Sequence, residues 1–589
     1  MSRVVKPASS ALKRSCGTWA VSSQDKAELF ASIFADKFCL PDPVQNEFSD
    51  LSLAIAPEEP DRFPRLRVRC ARQFLLSLRV DSGTGPDLLP ARVLKTCARE
   101  LALPVCLLAR SIVSHARWPA SWCEHWLFPL YKRQATSDPD NYRGLHLTPQ
   151  LSKVVERLIG SFFLPRLERI GAYGPHQFAY RQQHGARDAL LFLVLSWLLS
   201  FARGFRVALY CSDVSGAFDH VKAERLCDKL RSFGVQSRII DLISSWLRPR
   251  TARVVVGGQK SHPFPMHDMV YQRTFYGPPL WNTFFSDSYF ATRAEGFEEV
   301  LYADDLNAWK AVASDVTDDD TLALARNCQS SLHAWGEASQ VRFDVTKEST
   351  CILSRTRPLG DSFKILGVLF DVKLIMSEAV EKSVADAYWR VYSLVRTRRF
   401  HNDAELVGLF KAHVLSFIEY RTSAVYHASS SVLAPLDAVQ TRFMNSLGIS
   451  AMDSLMHFNL APLNTRRDMS ILGVIHGCVL GLGPSCFSRF FRSPALPPPP
   501  RSSRRHRRHL EEPAFDSPDY ILHSAIGATR IYNLLPDFII SAKSVARFQS
   551  RLQCLLRARA PTCADWMHTF SPRVPLATHP LRACRAWRG

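Results

Sequence analysis

The stretch EEVLYADDLNAW, residues 298–309, places two adjacent carboxylates, Asp304 and Asp305, directly after an apolar, strand-like run. Its flanks, VLY before the pair and LNAWKAV after it, suit two short strands joined by a tight turn. Two neighbouring carboxylates repel each other unless a cation or a proton lies between them. The pair is therefore either an exposed turn, as most Asp-Asp dipeptides are, or part of a metal site.

A third carboxylate, Asp213, lies 91 residues before Asp304 in the stretch RVALYCSDVSGAFDHV. The alternation of Val207, Leu209 and Cys211 predicts a strand that carries Asp213 at its C-terminal end. A turn and an amphipathic helix are expected to follow. The end of a strand holds a functional side chain rigidly, so Asp213 is a candidate for the same site.

Three ionised carboxylates in close proximity would destabilise the fold if nothing neutralised them. They are well suited to hold two Mg²⁺ ions about 3.5–4 Å apart, an arrangement that stabilises both the attacking and the leaving oxygen in phosphoryl transfer. If the 304–305 hairpin packs beside the Asp213 strand, the sequence predicts such a centre. A strand-borne Asp some ninety residues before an Asp-Asp hairpin is a far more specific signal than the dipeptide alone.

The composition indicates a large basic protein with enough apolar material for a core. A chain of 589 residues is too long for one compact core, so several subdomains are expected. Lys and Arg outnumber Asp and Glu by 74 to 54, which gives a net charge of +20 and a pI of about 9.5. This balance favours a polyanionic partner, either a nucleic acid or an acidic membrane surface.

No segment has the pattern of a membrane span or a signal peptide. The run ALLFLVLSWLLSFA, residues 189–202, is too short to cross a bilayer and predicts a buried helix. The polar N-terminus predicts an intracellular protein, in the nucleus or the cytoplasm, without a membrane partner. The 15 cysteines contain no C-x-x-C pair, so reduced thiols are expected rather than disulfides or a zinc site.

The C-terminal part carries a disproportionate positive charge. Residues 490–589 contain 16 Lys and Arg against 6 Asp and Glu. Within them, SPALPPPPRSSRRHRRH (493–509) combines prolines with five arginines, which predicts an extended linker. Three interpretations stay open: a solvated, disordered linker with a basic tail, a nucleic-acid clamp, or a nuclear-import signal.

Eight blocks in chain order resemble the reverse transcriptase domain of non-LTR (LINE-type) retrotransposon polyproteins. They are SGTGPDLLP, FPLYKRQATSDPDNYRGLHLTPQLSKVVERLI, GPHQFAYRQQHGARDAL, SDVSGAFDHV, YQRTFYGPPLWNTFF, LYADDL, VRFDVTKEST and FKILGVLFD, between residues 75 and about 375. SDVSGAFDHV is similar to polymerase motif A, YQRTFYGPPLWNTFF to motif B and LYADDL to motif C. The leader and the tail carry no matching motif.

The resemblance implies an α+β fold of the right-hand polymerase type, with fingers, a palm built on an antiparallel sheet, a helical thumb and a basic C-terminal tail. The implied division is a leader (1–74), fingers with the start of the palm (75–205), the palm with the catalytic motifs (206–375), a helical thumb (376–485), a Pro/Arg-rich linker (486–510) and a basic C-terminal region (511–589).

The resemblance also implies an RNA-directed DNA polymerase that adds nucleotides to a primer 3′-OH. Asp213, Asp304 and Asp305 would be its catalytic residues and, with the carbonyl of Val214, would hold two Mg²⁺ ions, Mn²⁺ being the alternative ion. One ion would lower the pKa of the primer hydroxyl and the other would neutralise the departing pyrophosphate. The implied partners are an RNA template, a DNA primer or target and deoxynucleoside triphosphates; protein partners are left open.

Five further residues match nucleotide-binding positions of the family. Lys132 and Arg143 match the cations that hold the triphosphate, and Gln272 matches the motif B glutamine. Phe218 matches the aromatic that excludes a ribose 2′-OH, although an ordinary core phenylalanine is the alternative. Lys347 matches a lysine proposed as general acid to pyrophosphate, with a solvated surface lysine as the alternative.

The sequence departs from the family pattern at motif B, where Arg273 replaces a glycine. Because glycine permits unusual φ values and close backbone approach, a distorted loop is expected there. Asp219, also in motif A, is assigned to a local role as a helix N-cap. The alternatives to a polymerase are a decayed, RNA-binding remnant and a maturase-type splicing scaffold. We also expect the chain to be the polymerase part of a longer element, since no endonuclease domain or zinc knuckle is recognisable in it.

Overall fold

A computed structural model of the chain describes residues 10–38, 65–132, 134–248, 250–494 and 506–582. The fold is mixed α/β. The chain divides into two compact units, each assembled from separate segments. The first unit contains residues 1–180, 213–295 and 329–346, and the second contains residues 181–212, 296–328 and 347–589. The chain therefore passes repeatedly from one unit to the other.

Helices outnumber strands in the described residues. The strands are β1 (Leu12–Lys13), β2 (Trp19–Ala20), β3 (Glu124–Tyr131), β4 (Tyr142–Leu147), β5 (Phe205–Ser215), β6 (Arg250–Val256), β7 (Gln259–Lys260), β8 (Phe264–Met266), β9 (Glu298–Tyr302), β10 (Asp305–Ala313), β11 (Arg342–Phe343), β12 (Ser349–Leu353), β13 (Phe363–Ile365) and β14 (Val368–Phe370). The helices are α1 (Ser23–Lys37), α2 (Val68–Leu76), α3 (Ala91–Thr96), α4 (Ala98–His115), α5 (Gln150–Arg169), α6 (Ala186–Ala202), α7 (Ala223–Ser232), α8 (Ser237–Leu247), α9 (Gly277–Phe285), α10 (Ser288–Ala294), α11 (Asp318–Ser339), α12 (Ser377–Val395), α13 (Asp403–Phe410), α14 (Ser416–Tyr420), α15 (Thr422–Val425), α16 (Ser430–Ser446), α17 (Ala451–Phe458), α18 (Leu463–Val479), α19 (Asp519–Leu522), α20 (Ala528–Leu534), α21 (Asp537–Ile540) and α22 (Val545–Arg559).

A mixed sheet with the order β4-β3-β6-β7 forms the centre of the first unit, and β8 also pairs with β6. Strands β3 and β4 are antiparallel, whereas β3 and β6 are parallel. Helix α1 packs on this sheet through the fully buried Phe30 and Phe34. Its N-cap is Ser22, whose side chain accepts a hydrogen bond from the backbone N–H of Asp25.

A buried polar chain crosses the core of the first unit. The guanidinium of Arg250 donates to Nε2 of His125 at 2.9 Å, so that nitrogen carries no proton. His125 therefore holds its proton on Nδ1, which lies 3.2 Å from Nδ1 of His146 and donates to it. Both histidines are consequently neutral, and burial lowers the pKa of His146 to about 3.

The neutral histidine pair predicts a loss of stability on acidification. Unfolded, His146 takes up a proton near its ordinary pKa of about 6.5, but in the fold it stays neutral down to about 3. The free energy of unfolding should therefore fall by about 1.4 kcal/mol per pH unit for this group as the pH drops below about 6.5. Urea unfolding at pH 7.5 and pH 5.5 should show a smaller loss for His146→Phe than for the wild type. An equal loss in both proteins would contradict the assignment.

The second unit contains the predicted buried helix. Helix α6 spans the apolar run, and its residues 189–198 are buried all round. It packs against β9 and α15, and the ring of its Phe192 meets Trp309 edge-to-face at 6.1 Å. In the adjoining sheet, β5 pairs with β12 in antiparallel register and lies beside β10. The predicted β5 strand is present, but residues 206–212 are buried on both faces rather than alternating.

The C-terminal region is folded, contrary to the interpretation as a disordered, nondescript tail. Helices α20 and α22 pack against α18, and Phe548 and Leu552 of α22 are fully buried. His476 of α18 lies between these helices, stacked on Phe548 at a centroid distance of 4.1 Å, with its Nε2 donating to the carbonyl of Ala542. The apolar positions of residues 511–582 therefore form a core despite the net positive charge.

The predicted bounds of the linker, residues 486–510, include folded residues at both ends. On its N-terminal side, residues 485–489 form a 3₁₀ turn, and Phe487 is fully buried beside Phe490 and Phe491. On its C-terminal side, His506 and Leu510 are buried, and the backbone N–H of Leu510 donates to the side chain of Asn533. Residues 495–505, which contain four of the five prolines and three of the arginines, lie outside the described residues.

The region predicted to be mainly helical, residues 376–485, contains helices α12 to α18. Within it, the stretch AELVGLFKAHVLSFIEY (404–420) forms one continuous helical segment, with a π-helical turn at Lys411–Leu415 between α13 and α14. None of the helices that the structure describes combines the length and the apolar character needed to cross a bilayer.

Candidate functional site: a basic pocket and an acidic hairpin

The Asp304–Asp305 pair lies on a tight hairpin, as predicted. Strands β9 and β10 are antiparallel, and Tyr302 pairs with Asp305, which leaves Ala303 and Asp304 as a two-residue turn. Ala303 has a φ of 60°, the left-handed conformation that such short turns require. The flanking Leu301 and Leu306 are buried, so the hairpin anchors two half-buried carboxylates at its tip.

Asp213 is half-buried on β5, but the strand does not end there as the sequence analysis expects. It continues to Ser215, because Val214 and Ser215 pair with Phe343 and Arg342 of β11. The carbonyl of Asp213 accepts a hydrogen bond from the backbone N–H of Asp344 at 2.9 Å. This short ladder fixes the backbone on both sides of Val214, the residue whose carbonyl is a predicted metal ligand.

Asp213 belongs to the first unit, and Asp304 and Asp305 belong to the second. Among the described residues, no group of three or more His, Cys, Asp or Glu side chains forms a cluster that could hold a metal ion. The oxygen donors of the three carboxylates are of the type that Mg²⁺ prefers. Metal binding by Asp213, Val214, Asp304 and Asp305 therefore stays a prediction.

Three of the predicted nucleotide-binding residues line one cavity of about 380 Å³ in the first unit: Lys132, Arg143 and Gln272. Lys37 and Arg342 line it as well, so four cationic side chains surround the same space, against the two carboxylates of Asp36 and Asp219. This volume lies within the range of small-molecule sites. The pocket therefore combines a size and a charge that suit a phosphorylated ligand.

The β3–β4 hairpin positions two of these cations. Lys132 directly follows β3, and its backbone N–H donates to the carbonyl of Asn141 at 2.8 Å. Arg143 lies on β4, where it pairs with Leu130. The loop that joins the strands contains a short 3₁₀ turn capped by Asp138, which accepts from the N–H of Asp140 at 3.0 Å. Local hydrogen bonds thus hold both side chains at one end of the hairpin.

Asp219 lines this pocket and is not a helix N-cap, so that assignment is wrong. Helix α7 begins four residues later, and its N-cap position is Lys222. Asp219 instead ends a 3₁₀ turn, and its Oδ1 accepts a hydrogen bond from Nε2 of Gln272 at 2.9 Å. Burial raises the pKa of Asp219 to about 6, with the positive charge of Lys132 acting in the opposite direction. This hydrogen bond joins motif A to motif B.

A turn at Gly216 lines the same pocket. Gly216 has a φ of 64°, and a Cβ at this position would lie 3.0 Å from the ring of His220. Nε2 of His220 donates to the carbonyl of Lys37 at 3.1 Å, which connects the turn to the end of α1. His220, Lys37 and Arg342 were not predicted from the sequence. The only signal for His220 was its place inside the motif A block, directly after Asp219.

Phe218 is half-buried within an aromatic group and does not line the pocket. Its ring stacks on Trp281 at a centroid distance of 5.8 Å and meets Tyr180 edge-to-face at 6.2 Å. This packing agrees with the alternative of a core phenylalanine, and its predicted contact with the nucleotide sugar stays a prediction. Lys347 is exposed at the end of a 3₁₀ turn in the second unit, and its predicted role likewise stays a prediction.

The motif B loop has an unusual backbone conformation at the substituted residue. Arg273 has a φ of 61°, so the arginine adopts a left-handed conformation that residues other than glycine rarely take. Glu156 of α5 secures the next part of the loop, because its carboxylate accepts from the backbone N–H of Phe275 at 2.6 Å and from Nε1 of Trp246 at 3.1 Å. A residue of helix α5 thus holds this part of the loop in place.

The strained backbone at Arg273 predicts that Arg273→Gly stabilises the fold. A left-handed conformation costs a non-glycine residue about 1–2 kcal/mol, and Arg273→Gly removes this cost. The greater entropy of glycine in the unfolded chain offsets about 0.5–1 kcal/mol of the gain. We therefore expect the free energy of unfolding to rise by about 0.5–1 kcal/mol in urea titrations. Arg273→Ala, which removes the same charge but keeps the strain, is the control, and its free energy of unfolding should stay below that of Arg273→Gly. Equal stabilities of the two variants would contradict the interpretation.

Comparison with known proteins agrees with these motifs. Residues 131–370 match the family described as reverse transcriptase (RNA-dependent DNA polymerase). The chain is 26% identical over 403 residues to the RNA-directed DNA polymerase from mobile element jockey of Drosophila melanogaster. This match covers 63% of this chain and 42% of that protein. It is also 26% identical over 308 residues to the corresponding jockey protein of Drosophila funebris, with 50% and 33% covered.

A third relative is the probable RNA-directed DNA polymerase from transposon X-element of Drosophila melanogaster, 26% identical over 240 residues. The match covers 36% of this chain and 25% of that protein. The chain therefore spans less than half the length of each of these three relatives.

Proposed function

Because residues 131–370 form a reverse transcriptase domain of the non-LTR retrotransposon type, we propose that the chain is an RNA-directed DNA polymerase that extends a primer 3′-OH along an RNA template. The observation that carries this proposal is the pocket of the first unit, which gathers Lys132 and Arg143 from one sequence block and Gln272 from another. Blocks that lie far apart in the chain but line one cavity support a common role.

The chemistry of the pocket suits a deoxynucleoside triphosphate. The guanidinium fork of Arg143 matches two phosphate oxygens at once, and Lys132 supplies a second, compact positive charge. Asp219 fixes Gln272 by the hydrogen bond described above, so the amide presents a defined face to the cavity. In this proposal the cations bind the triphosphate, while Gln272 contacts the base or sugar.

Nucleotidyl transfer also needs divalent ions, and we assign these to the acidic residues. Asp213, Asp304, Asp305 and the carbonyl of Val214 would hold two Mg²⁺ ions, which lower the pKa of the primer hydroxyl and neutralise the leaving pyrophosphate. The hairpin at Ala303–Asp304 and the β11 ladder beside Val214 keep these donors on rigid backbone.

An exposed aromatic and arginine surface supports a nucleic-acid partner. On α12, Trp389 is 71% exposed and Tyr392 is 64% exposed, and Phe400 shortly after the helix is 68% exposed. The guanidinium of Arg396 lies 5.8 Å from the ring centroid of Tyr392, and that of Arg399 lies 4.6 Å from that of Phe400. Aromatic faces with adjacent arginines are suited to stacking on bases and pairing with phosphates. We therefore propose residues 376–485 as the thumb, with 75–205 as fingers and 206–375 as palm.

Primer extension tests the proposal. The purified chain is incubated with deoxynucleoside triphosphates and a DNA primer annealed to RNA, with Mg²⁺ or with a chelator. The proposal expects extension that requires Mg²⁺. A chain that binds the primed RNA but does not extend it with Mg²⁺ would instead be an RNA-binding remnant, the second candidate, which the replacement of the motif B glycine by Arg273 favours.

A further inference from the structure

A second cavity in the first unit has a strongly basic lining. Its volume is about 320 Å³, and Arg79, Lys153, Arg157 and Arg273 contribute to its walls. Lys153 and Arg157 are half-buried, whereas Arg79 and Arg273 are exposed. No carboxylate is among the described residues that line it. Four positive charges around one space repel one another, and an anion in that space would relieve the repulsion.

The environment of Lys153 agrees with such an anion. Burial lowers the pKa of Lys153, and the positive charge of Arg273 lowers it further, although the carboxylates of Glu156 and Asp87 act in the opposite direction. Both carboxylates are themselves partly desolvated, and this burial raises the pKa of each. Glu156 is also engaged by Phe275 and Trp246, so its charge is shared with two hydrogen-bond donors.

An aromatic ring in the same cavity narrows the chemical class of the ligand. Phe275 lines the cavity, and the guanidinium of Arg157 lies 5.8 Å from its ring centroid. Nη1 of Arg157 also donates to Oγ of Ser77 at 3.0 Å, which orients the guanidinium. Cations for phosphates beside an aromatic face for a base are the combination that single-stranded nucleic acids require.

The cavity lies next to the nucleotide pocket along the chain. Gln272 lines the 380 Å³ pocket, and the following residue, Arg273, lines the basic cavity. Consecutive residues of one loop therefore face two different cavities. The left-handed backbone of Arg273 accompanies this change of direction. A polynucleotide strand that passes the nucleotide pocket could place a phosphate in the basic cavity.

We propose that Arg273, together with Lys153, Arg157 and Arg79, forms a subsite for a backbone phosphate of single-stranded RNA. The inference rests on the proposed function, in which RNA is the template. The substituted motif B residue then has a role of its own: it supplies a phosphate-binding cation at the position where a glycine would supply none. Phe275 stacks on a base of the same strand.

Salt-dependent RNA binding tests the subsite without any need for catalysis. Fluorescence anisotropy of a short, fluorescein-labelled single-stranded RNA is measured with the full chain across KCl concentrations. Asn tolerates a left-handed backbone, so Arg273→Asn removes the charge without adding strain. We expect several-fold weaker binding and a salt slope smaller by about 0.7, the contribution of one single-strand phosphate contact. Adding Lys153→Met should about double the change in slope.

Matched controls define the results that would overturn the subsite. Arg99→Asn removes an exposed arginine of α4 that does not line the cavity and should leave the slope unchanged. The proposal fails if Arg273→Asn behaves like Arg99→Asn. Equilibrium binding of radiolabelled dTTP with Mg²⁺ separates the two sources of phosphate. If Arg273→Asn weakens dTTP binding but not RNA binding, the phosphate belongs to the nucleotide and the proposal is overturned.

The two proposals can fail separately. Weaker RNA binding by Arg273→Asn, in a wild-type chain that never extends a primer, would keep the subsite and remove the polymerase function. Primer extension by a chain whose RNA binding is indifferent to Arg273 would do the reverse. Thermal unfolding of Arg273→Asn, expected to match or exceed the wild type in midpoint, shows that any binding defect does not come from misfolding.

Discussion

Asp304→Asn is expected to lower the rate of primer extension on RNA by about 100- to 1,000-fold, which corresponds to about 3–4 kcal/mol of lost transition-state stabilisation. The amide keeps the size of the carboxylate but loses its negative charge, so a divalent ion is held weakly. Because the ions act on both the attacking hydroxyl and the leaving pyrophosphate, the loss should appear in kcat more than in the affinity for RNA. Steady-state extension assays check this.

A matched control separates charge removal in general from this position. Asp315→Asn changes an exposed aspartate two residues after the end of β10 and should leave extension unchanged. The hairpin turn should survive Asp304→Asn, since Tyr302 and Asp305 pair on either side of it and Asn is also common in turns. An extension rate that Asp304→Asn leaves intact would contradict the assignment of the catalytic residues.

Arg143→Met is expected to raise the KM for deoxynucleoside triphosphates by about 30- to 100-fold, equivalent to about 2–3 kcal/mol for charge-assisted hydrogen bonds to phosphate. Arg143 lines the pocket with Lys132, and its position on β4 is fixed by the pairing with Leu130. Since the contact is with the triphosphate, KM should rise more than kcat falls. Nucleotide titrations of primer extension give both constants.

Two further variants test whether the rise in KM depends on the guanidinium of Arg143 and on its position. Arg143→Lys keeps the charge but not the planar fork, so its KM should lie between those of the wild type and Arg143→Met. Arg92→Met, on the exposed face of α3 and away from the pocket lining, should match the wild type. A KM for Arg143→Met equal to that of Arg92→Met would remove Arg143 from the nucleotide site.

Features set by neighbouring residues were predictable from the sequence. The hairpin around Asp304 follows from two short apolar runs that leave two residues for the turn, and the register between Tyr302 and Asp305 confirms it. Helices α1 and α6 follow from a capping serine and from an apolar run of suitable length. Propensity and local hydrogen bonding decide such elements, and both depend on residues that are close together in the sequence.

Features that depend on distant partners were not predictable. Asp219 was assigned to a helix end because nothing in its neighbourhood indicates Gln272, which lies 53 residues further along the chain and binds it. Arg273 was expected to distort its loop; its backbone lies in the left-handed region, and Glu156 on another element anchors Phe275 two residues further on. A tertiary contact thus overruled the local rule at Asp219, and Arg273 has a φ that its residue type disfavours.

Charge alone misled the interpretation of the C-terminal region. A net positive segment after a proline-rich stretch has the composition of a tail, but Phe548 and Leu552 recur at helical spacing and are fully buried. His506 and Leu510, inside the predicted linker, are buried as well. Apolar periodicity was the better guide, since burial of a helix face and not net charge decides whether a segment folds.

Mn²⁺ binding followed by electron paramagnetic resonance tests most directly the central claim that Asp213 shares its metal ions with the 304–305 hairpin. Wild type, Asp213→Asn, Asp304→Asn and the double variant are titrated with Mn²⁺. Each single variant is predicted to weaken binding strongly, and the double variant little more than either, because both carboxylates hold the same ions. Wild-type Mn²⁺ affinity in Asp213→Asn, or strictly additive losses in the double variant, would contradict the shared site.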